Sequence, residues 1–202
     1  MSKLLFSSVL LFGVSTSVGA FSPSYDCTQR SLNSVEKAIC ADVELSQQDV
    51  LLDHIYKKAK AIDKANQATH SIRSEQRGWL KGRNECWKSD TTNECIREQY
   101  QHRIATLQAR YRLVEHSDPI FFACDGNQAK EVVVTRFETD PISVIAEFGD
   151  SVSFMLYSAQ QSQYVGRNES IIYQNDQSID VVWGYNAPVM QCVPKSNHTE
   201  SQ

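Results

Sequence analysis

Six cysteines, Cys27, Cys40, Cys86, Cys95, Cys124 and Cys192, are the residues of this 202-residue chain whose type and spacing speak most directly of chemistry. None stands in a C-x-x-C pair, so neither a redox dithiol nor a zinc site is suggested. In an oxidising compartment an even six reads as three disulfides. The compartment follows from residues 1–20. Met1-Ser2-Lys3 gives a cationic head, Leu4 to Val14 an apolar stretch, and Val18-Gly19-Ala20 small residues ahead of Phe21. That is the pattern of a cleaved secretory signal. The apolar stretch is about half the roughly 20 residues that a bilayer crossing needs, and no cysteine follows it for lipidation, so no membrane anchor is expected. The reading is a periplasmic mature chain.

Other reactive groups do not converge. His54, His70, His102, His116 and His198 are scattered, no two at a spacing that builds a metal-binding face. No metal and no cofactor is expected. H-E-x-x-H, G-x-S-x-G, a phosphate-binding glycine loop and a dinucleotide fingerprint are all missing, and no carboxylate pair is marked out for acid–base work. The expectation is a protein that is not an enzyme. A formal charge of −4 argues against nucleic acid as a partner, because displacing phosphate counterions takes clustered cations. Arg73, Arg77, Lys81, Arg83 and Lys88 make one segment basic. This is either a patch for anionic glycan or phosphate, or a solvated face paired with Glu75 and Glu85, and the second is preferred.

The elements that must position these groups fall into two halves. Residues 21–115 carry 15 Lys/Arg against 13 Asp/Glu, and residues 116–202 carry 4 against 11, so a net +2 is followed by a net −7. Periodicity changes at the same place. In the first half, Asn33-Ser-Val-Glu36 has the form of a capping box opening a short helix to Cys40. Asp42 caps a second helix whose Leu45, Leu52, Ile55, Ala59 and Ile62 share one face. A third is expected from about Ser71 to Trp87. Thr91-Thr-Asn-Glu94 repeats the capping signature before a fourth that reaches Val114. Short connections make neighbours antiparallel and gather Cys27, Cys40, Cys86 and Cys95 at one pole, with three connectivities open.

The second half alternates. Strands are predicted at 120–124, 131–137, 143–148, 151–157, 170–173, 178–183 and 189–193, separated by turn signals such as Asp125-Gly126 and Gly149-Asp150. Seven or eight short strands make a small antiparallel barrel or sandwich. Pairing Cys124 with Cys192, in the first and last strands, would close it. The fold class is therefore α+β in two domains: a disulfide-stapled antiparallel helical bundle (21–115) followed by a small antiparallel β-barrel (116–195) and a flexible tail (196–202).

Two resemblances sharpen this. Tyr25-Asp26-Cys27, Val35 to Asp42, Glu44-Leu45, Glu75 to Cys86, Cys95 and Tyr100 to Ile104 resemble the signature of the LprI family of lysozyme inhibitors, over about residues 25–112. From about 119 to 194, Phe122-Ala123-Cys124-Asp125-Gly126, the strand order and the late Cys192 are similar to the membrane-bound and periplasmic inhibitors of c-type lysozyme, which implies an eight-stranded barrel. The inhibitory loop of that family has Ser-Gly shortly before a tyrosine, and Lys-Gly further on. Here Gln160-Gln161 precede Tyr164, and Asn175-Asp176 stand at the later pair. The resemblance implies a lysozyme partner, c-type and from a host. Gln160, Ser162, Gln163, Tyr164 and Arg167 on a projecting loop, with Asn175, are the candidate binding residues, offering hydrogen bonds to the two carboxyls that line a lysozyme cleft. The alternative is a periplasmic immunity or binding protein directed at another cell-wall hydrolase or effector.

Overall fold

The computed structural model describes residues 21–65 and 72–195; the signal segment 1–20, the expected helix start at Ser71 and the tail 196–202 lie outside the described residues. The first half forms four helices, α1 (Ser34–Ala41), α2 (Val43–Ala65), α3 (Ile72–Asn84) and α4 (Thr92–Arg110). The second forms eight strands, β1 (Ile120–Cys124), β2 (Asn127–Phe137), β3 (Ser143–Phe148), β4 (Ser151–Ser158), β5 (Gln163–Val165), β6 (Glu169–Tyr173), β7 (Ile179–Trp183) and β8 (Met190–Pro194). These pair in sequence order, all antiparallel, and β8 closes on β1.

Local chemistry sets the helix ends. The Asn33 side chain accepts from the Glu36 amide and the Glu36 carboxylate accepts from the Asn33 amide, both at 2.9 Å, completing a capping box. Asp42 accepts from the Leu45 amide at 3.1 Å. The signature at Thr91 does not cap: its side chain makes no bond to the first turn of α4. Glu94 instead receives Arg97, whose guanidinium also reaches Glu44 on α2. Two expected helix ends are also corrected. α3 stops at Asn84 and tightens into a 3₁₀ turn over Glu85–Lys88, which carries Cys86 back to Cys95 at the start of α4. α4 stops at Arg110 rather than Val114. Arg112 takes a left-handed φ of 50°, its amide donates to Ala109 and that of Leu113 to Gln108, a Schellman ending.

The two halves have separate cores. Leu45, Leu52, Ile55 and Ala59 of α2 meet Ile96, Tyr100, Ile104 and Leu107 of α4, with Val35 and Ile39 of α1 and Ile72 of α3. Val132, Val134, Val144, Ala146, Met155, Ile171, Ile179 and Val181 fill the barrel. Disulfides join Cys27 to Cys40, Cys86 to Cys95 and Cys124 to Cys192, the last two residues facing each other across the closing strands.

A polar network runs through the helical core. Arg83, 2% exposed, donates from Nη1 to the Tyr100 hydroxyl at 2.9 Å. That hydroxyl donates to Asp49 Oδ1 at 2.7 Å, and the second oxygen of Asp49 accepts from both the amide and the hydroxyl of Ser24. The basic third helix is thus not uniformly solvated as expected, because Arg83 points inward. Burial is the main force holding the Tyr100 phenol neutral, raising its pKa well above the ordinary value.

The connection between the halves is itself paired. The Glu138 amide donates to the Glu115 carbonyl and the Ser117 amide to the Arg136 carbonyl, both at 2.9 Å, so the segment after α4 runs antiparallel to the end of β2. Phe137 packs beside His116, with Arg112 above its ring, and His102 of α4 meets Phe154 of β4 edge-on at 5.7 Å.

Candidate functional site

In an up-and-down barrel, successive connections alternate between the two ends. The β2–β3, β4–β5 and β6–β7 connections therefore share one end, and the β3–β4, β5–β6 and β7–β8 connections share the other. This divides the six candidate residues. Gln160 and Ser162 belong to the β4–β5 turn, Gln163 is the first residue of β5 and Asn175 belongs to the β6–β7 turn, so these four come to one mouth. Arg167 lies in the β5–β6 connection at the opposite mouth and cannot join them. Tyr164 is within β5 rather than on a loop, and its side chain turns inward, 8% exposed, as part of the barrel core.

The β4–β5 turn is tight. Ser162 holds a left-handed φ of 53°, the Gln161 amide lies 3.4 Å from Ser158 Oγ, and the Gln163 amide nitrogen donates to the Gln161 side-chain oxygen at 2.8 Å. Gln160, Gln161 and Ser162 are exposed. Across the mouth, the Gln174 and Ser178 backbones bond at 2.9 Å around an exposed Asn175. Asp176 accepts from the hydroxyl and amide of Ser178, which hold its carboxyl below the usual range. Asn175 and Asp176 line a shallow concavity of about 610 Å³ with Asp180.

Beneath the two turns lies a floor that the sequence reading missed. Tyr157, Tyr164 and Tyr173 come from neighbouring strands, with ring centroids 5.3 and 5.9 Å apart in edge-on contacts. Tyr157 and Tyr173 are each 40% exposed. Burial raises the Tyr173 phenol to about 12, helped by Tyr164 and opposed by Arg136. The signal for Tyr157 was present, since Ser153, Met155 and Tyr157 keep one alternating face of β4. The third connection at this end carries Glu138, Thr139 and Asp140. With Gln48 and Leu51 of α2 and Gln101 and Ile104 of α4, these line a groove of about 260 Å³ between the halves.

This arrangement offers neutral amides, hydroxyls and aromatic edges over a net negative barrel. It is a set of hydrogen-bond donors and acceptors. Among the described residues no cluster of three or more His, Cys, Asp or Glu could hold a metal ion, and no helix is long and apolar enough to cross a membrane.

Comparison with known proteins locates the helical half. Residues 26–107 match the family described as lysozyme inhibitor LprI, and no family match covers the barrel. No curated protein and no solved structure matches the chain. The matched span includes residues that build the bundle: Cys27, Cys40, Cys86 and Cys95 in two disulfides, Trp79 edge-on to Tyr100, and Arg83 bonded to the Tyr100 hydroxyl. The disulfide-braced helical half of this chain is thus similar to the lysozyme inhibitor LprI family.

Proposed function

We propose that the protein is a periplasmic inhibitor of c-type lysozyme that protects peptidoglycan from a host enzyme, with the β4–β5 and β6–β7 end of the barrel entering the lysozyme cleft. The observation that carries this reading is the shared mouth, where Gln160, Ser162, Gln163 and Asn175 stand over the Tyr157–Tyr173 floor, next to an inhibitor-family domain. A lysozyme cleft holds one protonated and one ionised carboxyl group. Amide and hydroxyl donors complement both without introducing a charge whose desolvation must be offset. Animal c-type lysozymes are generally strongly basic, and a barrel half of net −7 draws them in, chiefly by raising the association rate.

The test is a cell-wall lysis assay with purified mature protein and c-type lysozyme. Inhibition that falls in a Gln163→Ala/Asn175→Ala double variant and survives in Arg167→Ala supports the reading. Undiminished lysis at excess protein refutes it. A second reading, an immunity or binding protein against another wall hydrolase, is favoured by one observation: exposed Asn175 and Asp176 stand where the barrel family has Lys-Gly. Capture of a bacterial hydrolase from envelope extract in preference to added lysozyme selects it.

A further inference from the structure

The helical half has an exposed surface that a basic lysozyme would avoid. Along α3, Ile72, Arg83 and, on the following turn, Cys86 are buried, and Trp79 packs edge-on against Tyr100. The 3.6-residue period then leaves Arg77, Leu80 and Lys81 facing outward, with Trp87 continuing the same stripe on the 3₁₀ turn. Leu80 is 37% exposed and Trp87 59%. Arg77 and Lys81 form no ion pair among the described residues, whereas Lys88 pairs with Glu85 and sits 5.5 Å over the Trp87 ring.

We propose that this face of α3 is a peripheral docking surface for an anionic phospholipid leaflet. Unpaired guanidinium and ammonium groups beside an exposed indole and a leucine are what an interfacial helix presents: cations for the lipid phosphates, and apolar groups for the headgroup–acyl boundary. A glycan strand is the poorer fit. Lys88 occupies one face of the indole on which a sugar ring would stack, and the neighbouring Leu80 offers hydroxyls nothing. The contact lies along the surface, since α3 has 13 residues and is about 20 Å long. It is independent of the lysozyme reading, which rests on the barrel.

The full mature chain is tested by co-sedimentation with vesicles of phosphatidylglycerol and phosphatidylethanolamine, against vesicles of phosphatidylcholine alone and against isolated peptidoglycan. The expected result is binding to the anionic vesicles at low salt, release at 0.5 M salt, and a blue shift of tryptophan emission that is absent in Trp87→Ala. Arg77→Gln/Lys81→Gln lowers partitioning about 30-fold, each cation at an anionic surface being worth about fivefold. Both variants alter exposed groups, and unchanged far-UV circular dichroism confirms their fold. No binding to anionic vesicles at low salt, equal binding by the variants, or binding to peptidoglycan alone overturns the proposal.

Discussion

Replacing Arg83 by Met tests whether the Asp49–Tyr100–Arg83 network holds the helical half together. The guanidinium side chain is 3% exposed, so solvent screens it little. It donates to Tyr100 at 2.9 Å, stands 3.8 Å from Asp49 and 4.0 Å from Glu36, and packs over Trp79 and Tyr100. Methionine keeps much of the stem but leaves Asp49 buried without its cation. Breaking a buried pair from one side costs about 3–5 kcal/mol. Asp49 retains Ser24 and the Tyr100 hydroxyl, which places the loss near 3 kcal/mol. For a domain of this size that lowers the melting temperature by roughly 12–24 °C. The assay is thermal unfolding followed by helical circular dichroism, with Arg83→Met, Asp49→Leu and the double variant compared in one cycle. Because the double variant leaves no unpaired charge, it should be more stable than the sum of the single losses predicts, by at least 1 kcal/mol. A loss below about 1 kcal/mol for Arg83→Met, or strict additivity in the cycle, refutes the network as a structural element.

Four further outcomes follow from the same geometry. Replacing both Cys124 and Cys192 opens a loop of sequence separation 68 and should cost the barrel about 4 kcal/mol in denaturant unfolding, against about 3 kcal/mol for either helical disulfide. A Cβ on Gly166 would stand 2.8 Å from Ser153 Oγ and 2.9 Å from Glu169 Oε2, so Gly166→Ala should break that hydroxyl–carboxylate bond and lower barrel stability by about 1–3 kcal/mol. Desolvation first, then Arg103, lowers the His102 pKa below its ordinary 6.5, so the folded state takes up a proton less readily than the unfolded chain. Stability should fall as pH drops below about 6.5, and a melting-temperature series from pH 7.5 to 5 should flatten in His102→Gln. The Tyr100 pKa is raised instead, so its contribution is present below about pH 10 and lost as pH rises beyond it; Tyr100→Phe should be less stable at neutral pH and less sensitive to alkali in the same melts.

The elements were legible wherever local chemistry decides them. Asn33 and Glu36 form their box because both partners lie within one turn. The Asp125-Gly126 turn has left-handed φ at both residues, which fits the chemistry of a tight hairpin. Reading failed where a distant group competes. Thr91 and Glu94 have the spacing of Asn33 and Glu36, yet Arg97, itself bonded to Glu44, draws Glu94 away from the helix start. The third helix loses its last turn because a disulfide to α4 takes Cys86. β5 escaped because three residues, Gln163 to Val165, are too few to show alternation, and its inward tyrosine is fixed only by pairing with Tyr157 and Ile171.

The candidate site was half legible for a topological reason. Gln160 and Arg167 are seven residues apart and look like one loop, but a short strand between them sends the chain to the other end of the barrel. Asn175 is further along the chain, yet the next strand brings it back beside Gln160. The family signature gives no help here, because it lies in the helical half and most of its distinctive residues are consumed by folding: the cysteines are bonded, Arg83 and Tyr100 are buried, and Trp79 donates to the Gln99 carbonyl. Groups already satisfied inside the bundle have no hydrogen bonds left to offer a partner. Recognition must fall on side chains that the fold leaves exposed. Two exposed surfaces among the described residues differ in character: an amide-rich mouth on a half of net −7, and a cationic stripe with an exposed indole on a half of net +2. Two such surfaces cannot serve one basic partner equally, so substitutions at one should leave the binding of the other intact.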